Sequence, residues 1–168
     1  MTASVDVNAL LVSMTKDLRS LLAQRGITDP AMIGIRTGGV WLAERLHAML
    51  NIPYLLGTLD INFYRDDFTR MGIHPQVKPS QIPFNVDDRH IILVDDVLHT
   101  GRTIRAALNE IFDYGRPHSV ILAVLVERSG RELPIEADVA GQHLDLSKQQ
   151  HVKLSGPEPL QLSIQSIT

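Results

Sequence analysis

The sequence predicts an α/β fold, with a mostly parallel central sheet flanked by helices, in one domain that spans residues 1–168. Short apolar segments alternate with helical ones, which is the pattern of parallel strands joined by right-handed crossovers. Two of the apolar segments lead directly into glycine-bearing turns that open helices. A length of 168 residues with 44% hydrophobic residues suits one domain with a sizeable core.

The first predicted helix is amphipathic, with a leucine and methionine stripe that would face the core. Asp6 or Asn8 could cap it, and Gly26 would end it. The predicted helices cover residues 8–25, 40–50 and 104–114. The predicted strands are short and apolar, and cover residues 32–35, 54–59, 91–94, 119–126, 135–140, 152–154 and 160–164.

The most informative segment is residues 91–103, an apolar run followed by two carboxylates, a short turn and a helix. We expect Asp95 and Asp96 to end the strand, because successive residues of a regular strand point to opposite faces and cannot both meet one ligand. The turn over residues 100–103 offers backbone N–H groups, two hydroxyls and a guanidinium at a helix N-terminus, which favours an anion. Carboxylates accept hydrogen bonds from sugar hydroxyls, so the segment predicts a sugar phosphate ligand.

A second anion loop follows the strand at residues 32–35. Arg36 adds positive charge there, and Gly38 and Gly39 allow backbone N–H groups to come close to a ligand. A glycine pair at such a turn is often only structural. Two loops of this kind in one small sheet nevertheless predict a ligand with two separated phosphate groups.

Residues 65–88 form a polar, proline-bearing stretch without periodicity. Long loops inside compact domains are usually lids, binding loops or disordered segments. We therefore predict a mobile loop here, with a plain surface excursion as the alternative.

The overall composition excludes several classes of protein. The formal net charge is −3, so nothing global indicates a nucleic-acid or membrane surface. The chain has no cysteine, which rules out disulfides and thiolate metal sites. We see no leader and no long apolar run, so the expected location is cytoplasmic. The seven histidines show no metal-ligand spacing.

Several segments together resemble type I phosphoribosyltransferases and, among them, the PyrR family of pyrimidine operon regulators that double as uracil phosphoribosyltransferases. The general likeness lies in residues 91–105 and in the Gly34-Ile35-Arg36-Thr37-Gly38-Gly39 loop. The PyrR likeness lies in Tyr64-Arg65-Asp66-Asp67 and in Arg131-Glu132-Leu133-Pro134-Ile135. The resemblance implies a type I phosphoribosyltransferase fold with a small hood from about residue 127 onward.

The resemblance also implies roles for individual residues. Asp95 and Asp96 would hold the ribose hydroxyls of 5-phosphoribosyl-1-pyrophosphate (PRPP), act in catalysis and support Mg²⁺, mainly through ligand oxygens. The loop after them would bind the 5-phosphate, and the loop at Arg36 the pyrophosphate, with a strained or cis peptide there. Arg65 would act from the mobile loop. The implied PRPP and UMP contacts are Arg36, Thr37, Gly38, Asp95, Asp96, Val97, Leu98, His99, Thr100, Gly101, Arg102 and Thr103. The implied base pocket is formed by Val126, Arg128, Val139 and Ala140, mostly through backbone atoms.

The implied activity is uracil phosphoribosyl transfer with Mg²⁺, by a homodimer or larger homo-oligomer that binds PRPP, uracil, UMP and UTP. Two alternatives stay open: a uridine-nucleotide-sensing regulator that binds RNA, and a purine or orotate phosphoribosyltransferase. His99 stands where the family more often has tyrosine. Glu136 stands where many members have arginine, and this acidic residue weighs against RNA binding.

Overall fold

The computed structural model describes residues 5–61 and 80–167. Its helices are α1 (Val7–Gln24), α2 (Gly38–Leu50) and α3 (Arg102–Tyr114). Its strands are β1 (Ala31–Ile35), β2 (Gly57–Leu59), β3 (His90–Leu98), β4 (Ser119–Arg128), β5 (Val139–Leu144), β6 (Gln150–Ser155) and β7 (Gln161–Ser166).

The central sheet has five parallel strands in the order β2-β1-β3-β4-β5, which confirms the predicted α/β class. One face carries the larger apolar core, where the buried side chains of α1 and α2 meet the sheet. The other face carries a second core, to which α3 contributes Ile104, Ala107 and Ile111. Helices on both faces explain why the central strands are apolar on both sides.

Helix α1 forms as its sequence pattern predicts. The Asp6 side chain accepts a hydrogen bond from the Ala9 backbone N–H at 3.2 Å, and Gly26 follows the helix with a φ of 66°. The stripe of Leu11, Met14 and Leu18 is almost fully buried. The helix is therefore held by burial of one apolar face together with an N-terminal cap.

Strand β3 does not end at the aspartate pair, so that prediction is wrong. The strand continues to Leu98 because β4 runs on beside it, with Leu98 in register with Glu127. On its other side β3 pairs with β1 only as far as Val94. Beyond that residue one edge of β3 has no neighbouring strand in the described part of the chain, and this step forms a crevice.

Two other predicted strands are shorter or displaced. The Tyr54 carbonyl accepts a hydrogen bond from His47 Nε2 at 2.6 Å, and β2 begins only at Gly57. The strand predicted over residues 135–140 begins only at Val139. Ahead of it, Asp138 exchanges hydrogen bonds with the backbone of Leu122, each at 2.8 Å, which holds its backbone outside the ladder.

The C-terminal hairpin of β6 and β7 forms a separate antiparallel sheet, where the hood is predicted. Its turn packs on α2, since a Cβ added to Gly156 would lie 3.3 Å from the Trp41 ring. An ion pair of 3.1 Å joins Arg45 of α2 to Glu158 of the same turn. The Trp41 side chain, which projects from α2, thus contacts the turn of the hairpin.

Residues 65–79 of the predicted mobile loop lie outside the described residues. The predicted C-terminal end of the loop, at residue 88, lies too far along the chain. Gln81 pairs with Thr58 beside β2, and Val86 is buried in the second core. The Ser80 hydroxyl contacts Glu110 of α3 and accepts a hydrogen bond from the Asp60 N–H at 3.0 Å. Residues 80–88 are therefore part of the packed structure.

None of the helices in the described part of the chain combines the length and the apolar character that crossing a membrane requires.

Candidate active site

The candidate site lies where the strand order reverses direction. From β1 the chain passes to β2 on one side and then to β3 on the other, so β1 and β3 flank the switch point of the sheet. Open α/β sheets bind ligands outside the carboxyl ends of the strands at such a point. Both predicted anion loops follow these two strands, at Arg36 and at His99.

The two aspartates are held by their own strand. Asp95 Oδ1 accepts the backbone N–H of Asp96 at 2.9 Å, and Asp96 Oδ1 accepts that of Val97 at 2.8 Å. Asp95 is 4% exposed, whereas Asp96 is half-buried. These bonds fix the orientation of both carboxylates at the edge of β3 that β1 no longer covers.

The glycine loop of α2 lies directly against this aspartate pair. A Cβ added to Gly38 would lie 2.5 Å from Asp96 Oδ2, and one added to Gly39 would lie 2.6 Å from the Val94 carbonyl oxygen. At Gly39 the neighbour is backbone, so only glycine allows this approach, whereas at Gly38 a larger residue would displace the Asp96 side chain. The structure thus brings the two predicted motifs into contact.

The loop at Arg36 leaves positive groups open. The N-terminus of α2 has no side-chain cap at Thr37 and no acidic residue in its first turn. The Arg36 guanidinium donates to Thr58 Oγ1 at 3.3 Å, while its buried Nε has no partner among the described residues. The Arg36–Thr37 peptide bond is cis, as the resemblance implies. Free N–H groups and a guanidinium in one loop suit an anion.

The second anion loop precedes α3. Gly101 adopts a φ of 99°, which favours glycine, and forms the N-cap without a side-chain hydrogen bond. The first turn of α3 contains no acidic residue, and Thr100 Oγ1 accepts the Arg102 N–H at 3.2 Å. Arg102 itself is exposed and lies 3.5 Å from Glu132. This helix N-terminus therefore also suits an anion.

His99 stands at the start of this loop. Its ring faces Gly130, whose added Cβ would lie 2.7 Å from Nε2. Burial of the ring lowers the pKa of His99 below its usual value, and the nearby charge of Arg128 lowers it further. His99 is therefore favoured in its neutral form.

A cavity of about 380 Å³ opens beside His99, at the carboxyl ends of β4 and β5. Its lining residues are the last residues of these strands and those that follow them, namely Glu127, Arg128, Ser129, Gly130, Arg131, His143, Leu144 and Asp145. Of the four residues predicted for the base pocket, Arg128 lines this cavity. Its guanidinium is committed to the carbonyls of Gln150, Ser147 and Ser129, at 2.7, 3.0 and 3.3 Å.

The other residues predicted for the base pocket lie deeper in the sheet. Val126 and Val139 are buried in the first core, and Ala140, which is half-buried, pairs with Val124 from the edge strand β5. Leu98, predicted as a ligand contact, has its side chain buried in the second core. The side chains of Val126, Val139 and Leu98 are buried, so these three residues can offer only backbone atoms. Thr103 and Val97 are half-buried, and Arg65 lies outside the described residues.

The site residues suit Mg²⁺ only together with a ligand. Within the described residues no group of three or more histidine or acidic side chains could hold a metal ion. Mg²⁺ commonly binds through one or two carboxylates together with substrate phosphates and water. Asp95 and Asp96 fit that incomplete protein shell.

Arg131 and Glu127 line the cavity beside His99, and sequence reasoning gave them no individual role beyond placing their segment, residues 126–140, at the border of the base pocket. The Arg131 guanidinium donates to the His99 carbonyl and lies 3.5 Å from Glu127 Oε1. Their position in the sequence could have pointed to the site, because charged residues at the end of a buried strand lie at the carboxyl edge of the sheet. Their four-residue spacing gave no sign of the loop that they contact.

Comparison with known proteins defines the class. The family model described as phosphoribosyl transferase domain matches residues 9–155, so the chain belongs to the phosphoribosyltransferase family. Within that class it is 63% identical over 166 residues to the bifunctional protein PyrR of Nitrosococcus oceani, covering 98% of this chain and 94% of that relative. The PyrR protein of Pseudomonas syringae pv. tomato is 55% identical, with 95% and 94% covered. The particular group is thus PyrR, and the predicted resemblance is confirmed.

Solved structures show the same fold at low sequence identity. The purine phosphoribosyltransferase from Pyrococcus horikoshii superposes with a TM-score of 0.61 at 23% identity, covering 83% of this chain and 85% of that one. A hypoxanthine-guanine phosphoribosyltransferase from Bacillus anthracis gives a TM-score of 0.67 at 14% identity, with 84% and 83% covered. These likenesses support the type I phosphoribosyltransferase fold.

Proposed function

We propose that this chain is a uracil phosphoribosyltransferase, which converts uracil and PRPP to UMP and pyrophosphate. The observation that carries the proposal is the contact between the Asp95–Asp96 pair and the glycine loop of α2, at the carboxyl ends of β1 and β3, where two helices begin without a side-chain bond from their N-cap residues. Such a site suits a ligand with phosphate groups at both ends and hydroxyls between them, as in PRPP. Uracil is the acceptor that the resemblance to the PyrR family implies, and the chain matches PyrR proteins over nearly its whole length.

In this mechanism the C1–O bond of PRPP breaks, and a ring nitrogen of uracil forms a bond to the same carbon and loses its proton to the departing pyrophosphate or to solvent. Positive charge develops on the ribose ring, and Asp95 and Asp96 stabilise it while accepting the ribose hydroxyls. Negative charge develops on the leaving pyrophosphate, which Arg36 and the N–H groups of Thr37 and Gly38 would bind. The loop at Thr100 would hold the 5-phosphate, and no protein nucleophile is required.

Mg²⁺ fits this site as a cofactor held by ligand oxygens with support from Asp95 and Asp96. When bound, it would neutralise charge on the leaving group. Arg65 would add positive charge from its own segment, and a homodimer or larger homo-oligomer in the cytoplasm is part of the proposal. UMP and UTP would compete for the same crevice.

The test is initial-rate turnover with Mg²⁺ and PRPP, comparing uracil with hypoxanthine, guanine and orotate. We expect UMP formation with uracil and at least about a hundredfold lower turnover with the other bases, because a site that hydrogen-bonds one base edge rejects others strongly. Faster turnover with a purine or with orotate would overturn the assignment of the acceptor. Binding of PRPP without any turnover would favour a ligand-sensing regulator.

A second function, RNA binding in transcriptional regulation, is implied by the resemblance to the PyrR family, and the PyrR relatives are named bifunctional proteins. Lys16 and Arg19 are exposed on α1 and line one cleft with Met49, which offers positive charge for phosphates. Exposed Glu136 opposes it. A leader-RNA gel shift that weakens with rising salt would support this function, and no shift at low salt would remove it.

A further inference from the structure

Arg131 joins three separate segments through one guanidinium. Its Nε donates to the Ile135 carbonyl at 2.8 Å, and one terminal nitrogen donates to the carbonyls of His99 and, at 3.4 Å, Arg128. The other terminal nitrogen lies 3.5 Å from Glu127 Oε1. A guanidinium presents five donors in a rigid fork, so this side chain fixes the relative position of all its partners.

We propose that Arg131 is a positioning residue that turns the backbone N–H groups of the loop before α3 toward the 5-phosphate of the substrate. The inference rests on the proposed function. Arg131 would act on the orientation of the loop through its hydrogen bonds to backbone carbonyls.

The direction of the His99 carbonyl carries the argument. The His99 carbonyl and the Thr100 N–H belong to the same trans peptide unit, and they point in opposite directions. When Arg131 draws the carbonyl to itself, the N–H must point away from Arg131. Without that hydrogen bond the peptide unit could rotate and present its carbonyl oxygen to the phosphate, which would repel it.

The next peptide unit is oriented in the same way. The backbone N–H groups of Glu132 and Leu133 both donate to the Thr100 carbonyl at 3.0 Å, so the Gly101 N–H also points away from this segment. A Cβ added to Gly101 would lie 3.3 Å from Leu133 Cβ, which shows how closely the two segments pack. Two successive carbonyls are thus held on one side of the loop, and two N–H groups are left for the other.

Charge balance agrees with a positioning role. The Arg131 and Glu127 side chains are 25% and 22% exposed, and Glu127 Oε2 also accepts the Ala137 N–H at 3.4 Å. The carboxylate offsets the charge of the guanidinium. The contribution of Arg131 to phosphate binding is therefore made through the geometry of the loop.

The experiment compares the dissociation constants of UMP and uridine, whose ratio isolates the contribution of the 5-phosphate. In Arg131→Ala we expect the preference for UMP over uridine to fall about tenfold or more, because correctly aimed N–H groups are lost. Pyrophosphate, which probes the other loop, should inhibit the variant as strongly as the wild type. Arg25→Ala, which removes an exposed arginine paired with Asp138 at 3.4 Å, is the matched control and should leave all three values unchanged.

Arg131→Lys decides the question if the alanine variant does not fold. Lysine keeps the charge but cannot hold several carbonyls at fixed angles, so the UMP preference should fall in the same direction by a smaller factor. Added methylguanidine should restore part of the preference in Arg131→Ala. An unchanged preference in both folded variants, or an equal loss for UMP and uridine, would overturn the inference. Failure of the wild type to prefer UMP would instead overturn the proposed function.

Discussion

At the scale of single residues, Asp95 and Asp96 share one feature. In each, one carboxylate oxygen accepts a hydrogen bond from the backbone N–H of the following residue of β3. An asparagine carbonyl can accept the same bond, so charge and fold can be separated. The glycines opposite are equally specific. Gly39 lies against backbone atoms of β3, whereas Gly38 lies against the Asp96 side chain, which can move.

The Asp95→Asn, Asp96→Asn double variant should keep its thermal midpoint and lose at least about a hundredfold in turnover, because stabilisation of positive charge on the ribose is removed. Steady-state rates with uracil and PRPP, together with thermal unfolding, check this. Near-normal turnover in a folded double variant would show that the carboxylates do not carry the chemistry.

The two glycine variants should behave differently. In Gly39→Ala the new Cβ would lie 2.6 Å from the Val94 carbonyl oxygen, and stability should fall by about 2 kcal/mol. In Gly38→Ala the new Cβ meets only the Asp96 carboxylate, so the fold should persist while the KM for PRPP rises. Denaturant unfolding and KM measurements separate them, and equal losses of stability would contradict the geometry.

Sequence could predict those site residues whose chemistry is evident from a short, continuous segment. The strand, aspartate pair and glycine turn lie within thirteen residues, and the structure places Asp96 against Gly38 as two anion loops at one edge require. Arg131 could not be assigned a role, because its partners His99 and Ile135 become neighbours only when the segment folds over the loop.

At the scale of elements, β3 shows why strand ends are hard to predict. The aspartates favour a turn locally, yet pairing with β4 keeps the strand going to Leu98, and only the partner strand determines this. Arg128, at the end of β4, connects the central sheet to the start of β6 through the carbonyls of Gln150 and Ser147. A buried guanidinium with three carbonyl partners thus connects the central sheet to the β6–β7 hairpin.

Arg128→Met should destabilise the protein by about 2–4 kcal/mol, because three carbonyls lose a charged donor while the side-chain volume is roughly kept. The matched control is Arg45→Met, which removes an ion pair with the 83% exposed Glu158 side chain and should change stability by less than about 1 kcal/mol. Urea unfolding measures both. Equal effects would show that Arg128 does not stabilise the connection between the central sheet and the β6–β7 hairpin.

At the scale of the whole molecule, stability depends on pH through histidines at both ends of the sheet. Burial lowers the pKa of His90 and of His99 below 6.5. The pKa of His90 is lowered further by His118, whose ring centroid lies 4.4 Å from that of His90. The folded state then binds fewer protons than the unfolded state at pH values between the lowered pKa and 6.5. The contribution of these two histidines to the free energy of unfolding is fully present above that window and is lost as the pH falls through it.

The wild type should therefore unfold at a lower temperature at about pH 5.5 than at about pH 7.5, and the His90→Gln, His99→Gln double variant should show a smaller difference. Thermal unfolding at both pH values is the measurement. Carboxylates that titrate in the same range affect both proteins equally. An equal or larger difference in the double variant would contradict the direction of the two pKa shifts.

The most direct test of the account is the structure of the protein crystallised with PRPP and Mg²⁺ in the absence of base. We expect the ribose hydroxyls at Asp95 and Asp96, the 5-phosphate at residues 100–103 and the pyrophosphate at residues 36–38. PRPP bound away from the crevice between β1 and β3, or bound there with its two phosphate ends exchanged, would contradict it.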